Sequence, residues 1–300
     1  MAGGEDSNRD GQCVWLRPSS LTEALSMLYE RLEEKVMVVG GSTDILPQMK
    51  DGKRNAKVFV DLYALQDLKK IKEDENYISI GSMVTMSALT SNPLVQKFCP
   101  ALSVAAHSVG SAQIRSRATI GGNICNASPA ADTVPVLISY MARILLKSHL
   151  TSREVSLEEF FVGPGKTIIN PSEILTTIFI PKSDRKCGFV KLGKRSAVTC
   201  SIVNHALSAR LVDNRLSEVV AVFGSVAPKA IRIHELEKFL NGKEPSEELA
   251  VQGVELVEKN VSPIDDVRGS AAYRRKMSGI LFLRLFRHLF LNKPLGGSIQ

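Results

Sequence analysis

The segment Thr119-Ile120-Gly121-Gly122-Asn123-Ile124-Cys125-Asn126-Ala127-Ser128-Pro129-Ala130-Ala131-Asp132 concentrates residue types that bind nucleotides. Two adjacent glycines follow a β-branched pair. With no Cβ in the way, their backbone can approach a ligand closely and reach positive φ. Successive N–H groups in such a turn form a nest for an anion. Thr119, Asn123, Asn126 and Ser128 surround the turn with polar side chains, and Asp132 adds a carboxylate suited to ribose hydroxyls. A second segment of the same kind lies upstream, where Val36-Met37-Val38-Val39 runs into Gly40-Gly41-Ser42-Thr43-Asp44. A single glycine pair after a strand reads as an ordinary tight turn. Two pairs, each with hydroxyls and an acid, fit the two phosphates of one diphosphate.

Other chemistries lack their residues. There is no G-x-S-x-G elbow, no H-E-x-x-H and no Ser/His/Asp ordering. The five His are not clustered, and the cysteines at 13, 99, 125, 187 and 200 form no C-x-x-C pair. Neither a metal site nor a chain-encoded iron–sulfur cluster is expected. Gly163-Pro164-Gly165-Lys166-Thr167 imitates a phosphate loop, but Phe160 stands where the pattern needs glycine. Ile168-Ile169-Asn170-Pro171 cannot start the required helix. Neither glycine turn reads G-x-G-x-x-G, which argues against a dinucleotide fold of that type. A cofactor cradle remains, in which the cofactor carries the hard chemistry.

The elements that must position these residues follow from periodicity. Ser20 and Glu23 form a capping box, and Leu21, Ala24, Leu25, Leu28 and Leu32 give one helical face. Strands at Val36–Val39 and Val58–Leu62 complete a first subdomain over 15–65. Strands at Tyr77–Ile80, Leu145-Leu146 and Ile174–Ile180, with helices after Thr85 and Pro100 and over Val134–Ala142, define a second over 66–183. Arg115 and Arg117 precede the glycine turn as candidate partners of a diphosphate, whereas His107 reads as a helix-surface or core residue. From 184 to 292 the pattern is α+β: short strands at Gly188–Lys191, Asn204–Arg210 and Val219–Phe223, then helices at 234–240 and 246–259. A last helix starts at Gly269, with Met277, Ile280, Leu281, Leu285 and Leu289 on one face. Residues 1–14 and 293–300 are expected to be flexible termini.

With 300 residues, 44% hydrophobic and 23% charged, the chain can build more than one core. A net charge of +7 either aids solubility or faces an acidic partner or an anionic cofactor. Nucleic acid is not expected, since no long Lys/Arg run or recognition motif is present. No membrane span is expected, since no apolar run reaches roughly 18 residues. An odd cysteine count without a signal peptide points to the cytoplasm.

The pair VVGGSTDI and TIGGNICNASPAAD resembles the FAD-binding (medium) subunit of the molybdenum hydroxylases. That group includes xanthine dehydrogenase, aldehyde oxidase and the carbon monoxide dehydrogenase flavoprotein. The resemblance extends from about Leu16 to near Leu291, and Ser270-Ala271-Ala272-Tyr273-Arg274-Arg275 is a supporting match. It implies an α+β chain, with a two-subdomain FAD-binding fold of the vanillyl-alcohol-oxidase (PCMH) type. A C-terminal α+β domain with a small antiparallel sheet and helices follows. It also assigns roles. Val38, Val39, Gly40, Gly41, Ser42, Thr43, Asp44 and Ile45 would wrap the diphosphate. Thr119, Ile120, Gly121, Gly122 and Asn123 would hold its other side, and Gly110 would allow close approach. Asp132 would bind the adenosine ribose, Ile174 or Leu175 would pack on the flavin, and Lys191 would sit near the ring and favour its reduced, anionic form. No catalytic residue and no metal ligand is implied on this chain.

The resemblance further implies electron transfer within a heterotrimer. Electrons would come from a molybdenum-cofactor large subunit through [2Fe–2S] clusters of an iron–sulfur small subunit, reach FAD, and leave to NAD or another acceptor. Xanthine is the leading substrate class. Flavoproteins of carbon monoxide, nicotinate or aldehyde dehydrogenases are alternatives within the fold, and a non-redox module holding ADP or CoA is an alternative outside the class. A branch resembling hydroxybenzoyl-CoA reductase carries a cysteine-rich insertion that this sequence lacks.

Overall fold

The computed structural model describes residues 13–52, 55–195 and 198–295. The expected flexible segments 1–14 and 293–300 lie largely outside these residues, although Val14 already opens a strand. The first unit is a parallel sheet in which β1 (Val14–Leu16) and β2 (Val36–Val39) flank β3 (Val58–Asp61). Parallel neighbours need a crossover, and α1 (Leu21–Tyr29) is one. Ser20 caps α1 by accepting the Glu23 N–H at 3.1 Å. The Glu23 carboxylate accepts from the Ser19 N–H at 2.7 Å, so the capping box is shifted back by one residue. The short helix α2 (Ile45–Lys50) follows the first glycine pair. Along β2, Val38 packs towards Ala24, Leu25 and Leu28, and Val39 towards Phe59 and Ile45. That alternation fixes where the strand releases the chain into the turn.

The second unit begins with β4 (Ile71–Glu73) and β5 (Tyr77–Gly81). Six helices follow: α3 (Met86–Ser91), α4 (Pro93–Phe98), α5 (Pro100–His107), α6 (Ala112–Arg115), α7 (Ile120–Asn126) and α8 (Thr133–Ser139). Then come β6 (Arg143–Lys147), β7 (Ser152–Ser156), α9 (Leu157–Phe160), the hairpin β8 (Phe161–Gly163) and β9 (Lys166–Thr167), and β10 (Ile174–Pro181). Five of these strands form an antiparallel sheet in the order β4-β5-β10-β6-β7. The Gly163–Thr167 loop is the turn of the β8–β9 hairpin and leads into no helix, so the helix that a phosphate loop requires is missing. Helix α8 ends at Ser139, short of the expected Ala142, because Met141 adopts φ 57° and turns the chain into β6.

The third unit is the antiparallel sheet β11 (Lys186–Leu192), β12 (Val203–Val212), β13 (Arg215–Gly224) and β14 (Ile231–Arg232). Helices α10 (His234–Leu240), α11 (Glu247–Asn260) and α12 (Ala271–Leu291) accompany it. On α12 the buried face centres on Ser278, Leu281, Phe282, Leu285 and Phe286. Met277, Ile280 and Leu289 lie at its half-buried edge. The sheet also meets α5 and α8 of the second unit, so it is covered on both faces. Residues 203–209 of β12 are accordingly all buried, with no polar–apolar alternation. His205 sits in this layer, stacked on Phe223 at 3.9 Å between ring centroids. Burial pushes its imidazole down to about 3, against the opposing pull of its bond to the Val222 carbonyl.

Candidate functional site

The two glycine pairs, about 80 residues apart in sequence, meet in space at one hydroxyl. A Cβ built on Gly40 would lie 2.9 Å from Thr119 Oγ1, and a Cβ built on Gly122 would lie 2.9 Å from the same atom. Within each pair the roles divide. A Cβ on Gly41 would strike the Arg117 carbonyl, and one on Gly121 would lie 2.6 Å from Ser82 Cβ and 2.7 Å from the Ser82 carbonyl oxygen. Those two positions exclude side chains because protein backbone packs there. Beyond Thr119 Oγ1, nothing stands within 4 Å of a Cβ on Gly122, so its bare face is open.

The expectation of positive φ at these glycines is not met. None of the four adopts it; in the first turn it is Ser42, with φ 62°, that does. Positive φ is uncommon for a non-glycine residue, and such strain gathers at functional sites. The expected second amide nest is also absent. Thr119 caps α7, accepting the Gly122 N–H at 3.1 Å through Oγ1 and the Asn123 N–H at 2.9 Å through its carbonyl. The Ile120 and Gly121 amides donate to Val84 and Ser82 carbonyls at 2.9 and 2.8 Å. The reason is local: TIGGN begins a helix that is stitched to the chain after β5. In contrast, the Gly41, Ser42 and Thr43 amides donate to no backbone carbonyl among the described residues. Free anion-binding donors therefore belong to the first turn. The second turn contributes a close, side-chain-free wall.

Asp44 is the N-cap position of α2, and its carboxylate accepts from Gln48. Asn123 accepts from Thr133 Oγ1 at 2.7 Å, joining α7 to α8. Gly110 has φ 50°, and its carbonyl accepts from Arg115 at 3.0 Å. Arg115 thus holds its own loop. Arg117 lies over the Tyr63 ring at 4.7 Å. Neither guanidinium is placed as a free phosphate ligand. Ile174 and Leu175 are 2% and 3% exposed, the first in the core of the parallel-sheet unit and the second in that of the antiparallel unit.

Asp132 and Lys191, from separate units, form a buried ion pair at 2.6 Å. Lys191 Nζ also donates to the Ser108 carbonyl at 2.9 Å. Asp132 Oδ1 accepts from Ser201 Oγ at 2.6 Å and from Asn204 Nδ2 at 2.9 Å. Sequence reasoning placed Asp132 at a ribose and Lys191 at a flavin ring. Their direct contact makes the two groups one site and not two, with the carboxylate's charge set against the ammonium's.

Sequence reasoning missed Ser82, Met83, Ser108, Ser201 and Asn204. Ser82 is 3% exposed and its Oγ has no hydrogen-bond partner; a buried hydroxyl in that state needs an explanation. Met83 Sδ lies 3.4 Å from a Cβ on Gly40. No local motif marks any of them, since each is defined by a partner distant in sequence. The open Gly122 face, the free amides of the first turn and the orphaned Ser82 hydroxyl together fit a polyanionic dinucleotide.

Comparison with known proteins identifies the family. The family described as the FAD binding domain in molybdopterin dehydrogenase matches residues 8–183. The CO dehydrogenase flavoprotein C-terminal domain matches residues 189–289. The glyceraldehyde dehydrogenase medium chain of Sulfolobus acidocaldarius is 30% identical, covering 92% of this chain and 97% of its own. The putative xanthine dehydrogenase FAD-binding subunit of Escherichia coli K12 is 30% identical over 86% of this chain and 89% of its own. Among solved structures, Hydrogenophaga pseudoflava carbon monoxide dehydrogenase lacking the Mo-pyranopterin moiety superposes with a TM-score of 0.89. It is 26% identical and covers 94% of this chain and 98% of that one.

Proposed function

The chain belongs to the FAD-binding medium subunits of the molybdopterin hydroxylases, and from that premise we propose that it is the electron-relay subunit of a three-subunit enzyme. Its proposed partners are an iron–sulfur small subunit and a molybdenum-cofactor large subunit, its proposed acceptor is NAD or another carrier, and its proposed compartment is the cytoplasm. When bound, FAD supplies a carrier that takes electrons singly and releases them in pairs. The chain's own residues bind and orient it. The free Gly41, Ser42 and Thr43 amides would donate to its diphosphate, and Thr119 with the bare Gly122 face would let it pass closely. Asp132 takes a sugar hydroxyl, with Lys191 at its side. The observation that supports this reading best is the meeting of the two glycine pairs at Thr119 Oγ1.

The test is a visible spectrum of the purified chain, followed by heat release and identification of the cofactor. Flavin bands with FAD released support the reading. A folded, colourless chain that takes up no added FAD favours the non-redox ADP- or CoA-holding module instead.

For the assembled enzyme we propose xanthine as the substrate class. A second reading, an aldehyde substrate, rests on the equal 30% identity to the glyceraldehyde dehydrogenase medium chain. Flavin bleaching of the complex by xanthine or by glyceraldehyde separates the two. Among the described residues no helix is long and apolar enough to cross a membrane, and no His/Cys/Asp/Glu cluster is placed to hold a metal ion.

A further inference from the structure

The Asp132 carboxylate is held by the C-terminal unit, through Lys191 of β11, Asn204 of β12 and Ser201 of the segment between them. Asp132, Lys191, Ser201 and Asn204 are 6%, 7%, 0% and 0% exposed. Burying an ion pair is a poor route to stability, so one held between two units by further hydrogen bonds calls for another reason. A carboxylate offers about four acceptor sites and an ammonium three donors. Oδ1 is filled by Ser201 Oγ and Asn204 Nδ2, while Oδ2 holds only Lys191 Nζ. Lys191 gives one further bond, to the Ser108 carbonyl. The pair thus keeps one acceptor, on Oδ2, and one donor, on Nζ.

The orientation of the holding groups is itself fixed. Asn204 Nδ2 reaches the Ala131 carbonyl at 3.3 Å as well as Asp132. Its Oδ1 lies where a Cβ on Gly224 would collide with it, so glycine at 224 makes room for the amide. The Ser201 carbonyl accepts from Ser225 Oγ at 3.1 Å, and the Ser225 carbonyl accepts from the buried Arg274 at 2.8 Å. A line of hydrogen bonds therefore runs from α12 to the carboxylate.

We propose that Ser201 and Asn204 are positioning residues of the cofactor site, which hold Asp132 so that its remaining acceptor on Oδ2 meets a sugar hydroxyl of the bound dinucleotide. This rests on the FAD reading above. It makes the C-terminal sheet a working part of the site and not only a neighbour of it.

The experiment uses the full chain freed of cofactor. FAD is titrated by fluorescence, then displaced with ADP or with 2′,3′-dideoxy-ADP. The wild-type chain is expected to prefer ADP by about tenfold, the scale of one hydrogen bond to a charged group. Ser201→Ala is expected to weaken FAD binding about tenfold and to bring the preference for ADP close to unity. Ser201→Thr should restore both, and Asn204→Ala carries the same test should Ser201→Ala fail to fold. A purely structural role would lower the melting temperature while leaving the ADP preference intact, and that result overturns the proposal. If the wild-type chain takes up no FAD at all, the cofactor reading falls and this inference falls with it; a wild-type chain that takes up FAD but does not distinguish ADP from its dideoxy analogue removes only the inference.

Discussion

Gly122→Ala separates the cradle from the fold. A methyl at this position meets only Thr119 Oγ1, at 2.9 Å, so that hydroxyl must give by a few tenths of an ångström. Against this, alanine in place of glycine in a helix gains up to about 1 kcal/mol. The cofactor-free protein should therefore melt within about 4 °C of the wild type, since 1 kcal/mol moves a domain of this size by roughly 2–4 °C. FAD binding should respond quite differently. The methyl occupies the open face beside Thr119 Oγ1, where the diphosphate of the proposed cofactor would pass, and would displace it from its donors. Charge-assisted hydrogen bonds contribute about 1.5–3 kcal/mol each, so displacing one raises the FAD dissociation constant about tenfold and displacing two about a hundredfold or more. Flavin fluorescence titration of both proteins, alongside thermal melts without cofactor, reads the two quantities separately. A Gly122→Ala chain that binds FAD within twofold of the wild type would show that no diphosphate passes Gly122. A chain that loses both fold and affinity would show that the open face is not open.

Three further outcomes follow from the same geometry. Gly41→Ala, whose Cβ strikes the Arg117 carbonyl, should lose several degrees of melting temperature even without FAD; an unchanged melt would mean the two turns are not packed as described. Lys191→Ala leaves Asp132 buried without its cation and should cost about 3–5 kcal/mol in denaturant titrations, most of it recovered when Asp132→Asn is added. In the FAD-bound single variant a lowered reduction potential supports a field on the ring, whereas an unchanged potential leaves Lys191 with the role of holding Asp132. His205 titrates near 6.5 when unfolded and near 3 when buried. Below pH 6.5 the unfolded chain takes up a proton that the native chain refuses, so stability is full above that pH and falls towards pH 3. The loss is about 2 kcal/mol by pH 5. His205→Phe should flatten the pH dependence of the melt between pH 7 and 5, and an equally steep dependence would refute the assignment.

Much of the scaffold was legible because its signals are local. The caps at Ser20 and Thr85, the proline opening α5, and the apolar strand before Gly40 each act within a few residues. The strands of the C-terminal sheet were underestimated. β12 is buried on both faces, so its run of Ser, Asn and His looked like a short strand with polar ends. The apolar face of α12 was misjudged for a related reason. Arg274 and Ser278 are buried by bonds to the Ser225 and Arg274 carbonyls, which periodicity of apolar residues does not report.

By itself the sequence determined that this chain cradles a nucleotide-type cofactor, because the rarity of paired glycines among hydroxyls survives without knowing where they sit. It also determined the order of the three units, since helix and strand periods depend on near neighbours. Only the tertiary structure decided which of these residues are free to meet a ligand. It showed that Gly41 and Gly121 serve packing while Gly122 stays open, and that the second turn's amides are already engaged. It also showed that Asp132 answers to Lys191, Ser201 and Asn204. Each of those facts is a contact between residues remote in the chain, and chain order carries no information on which distant groups share one buried volume.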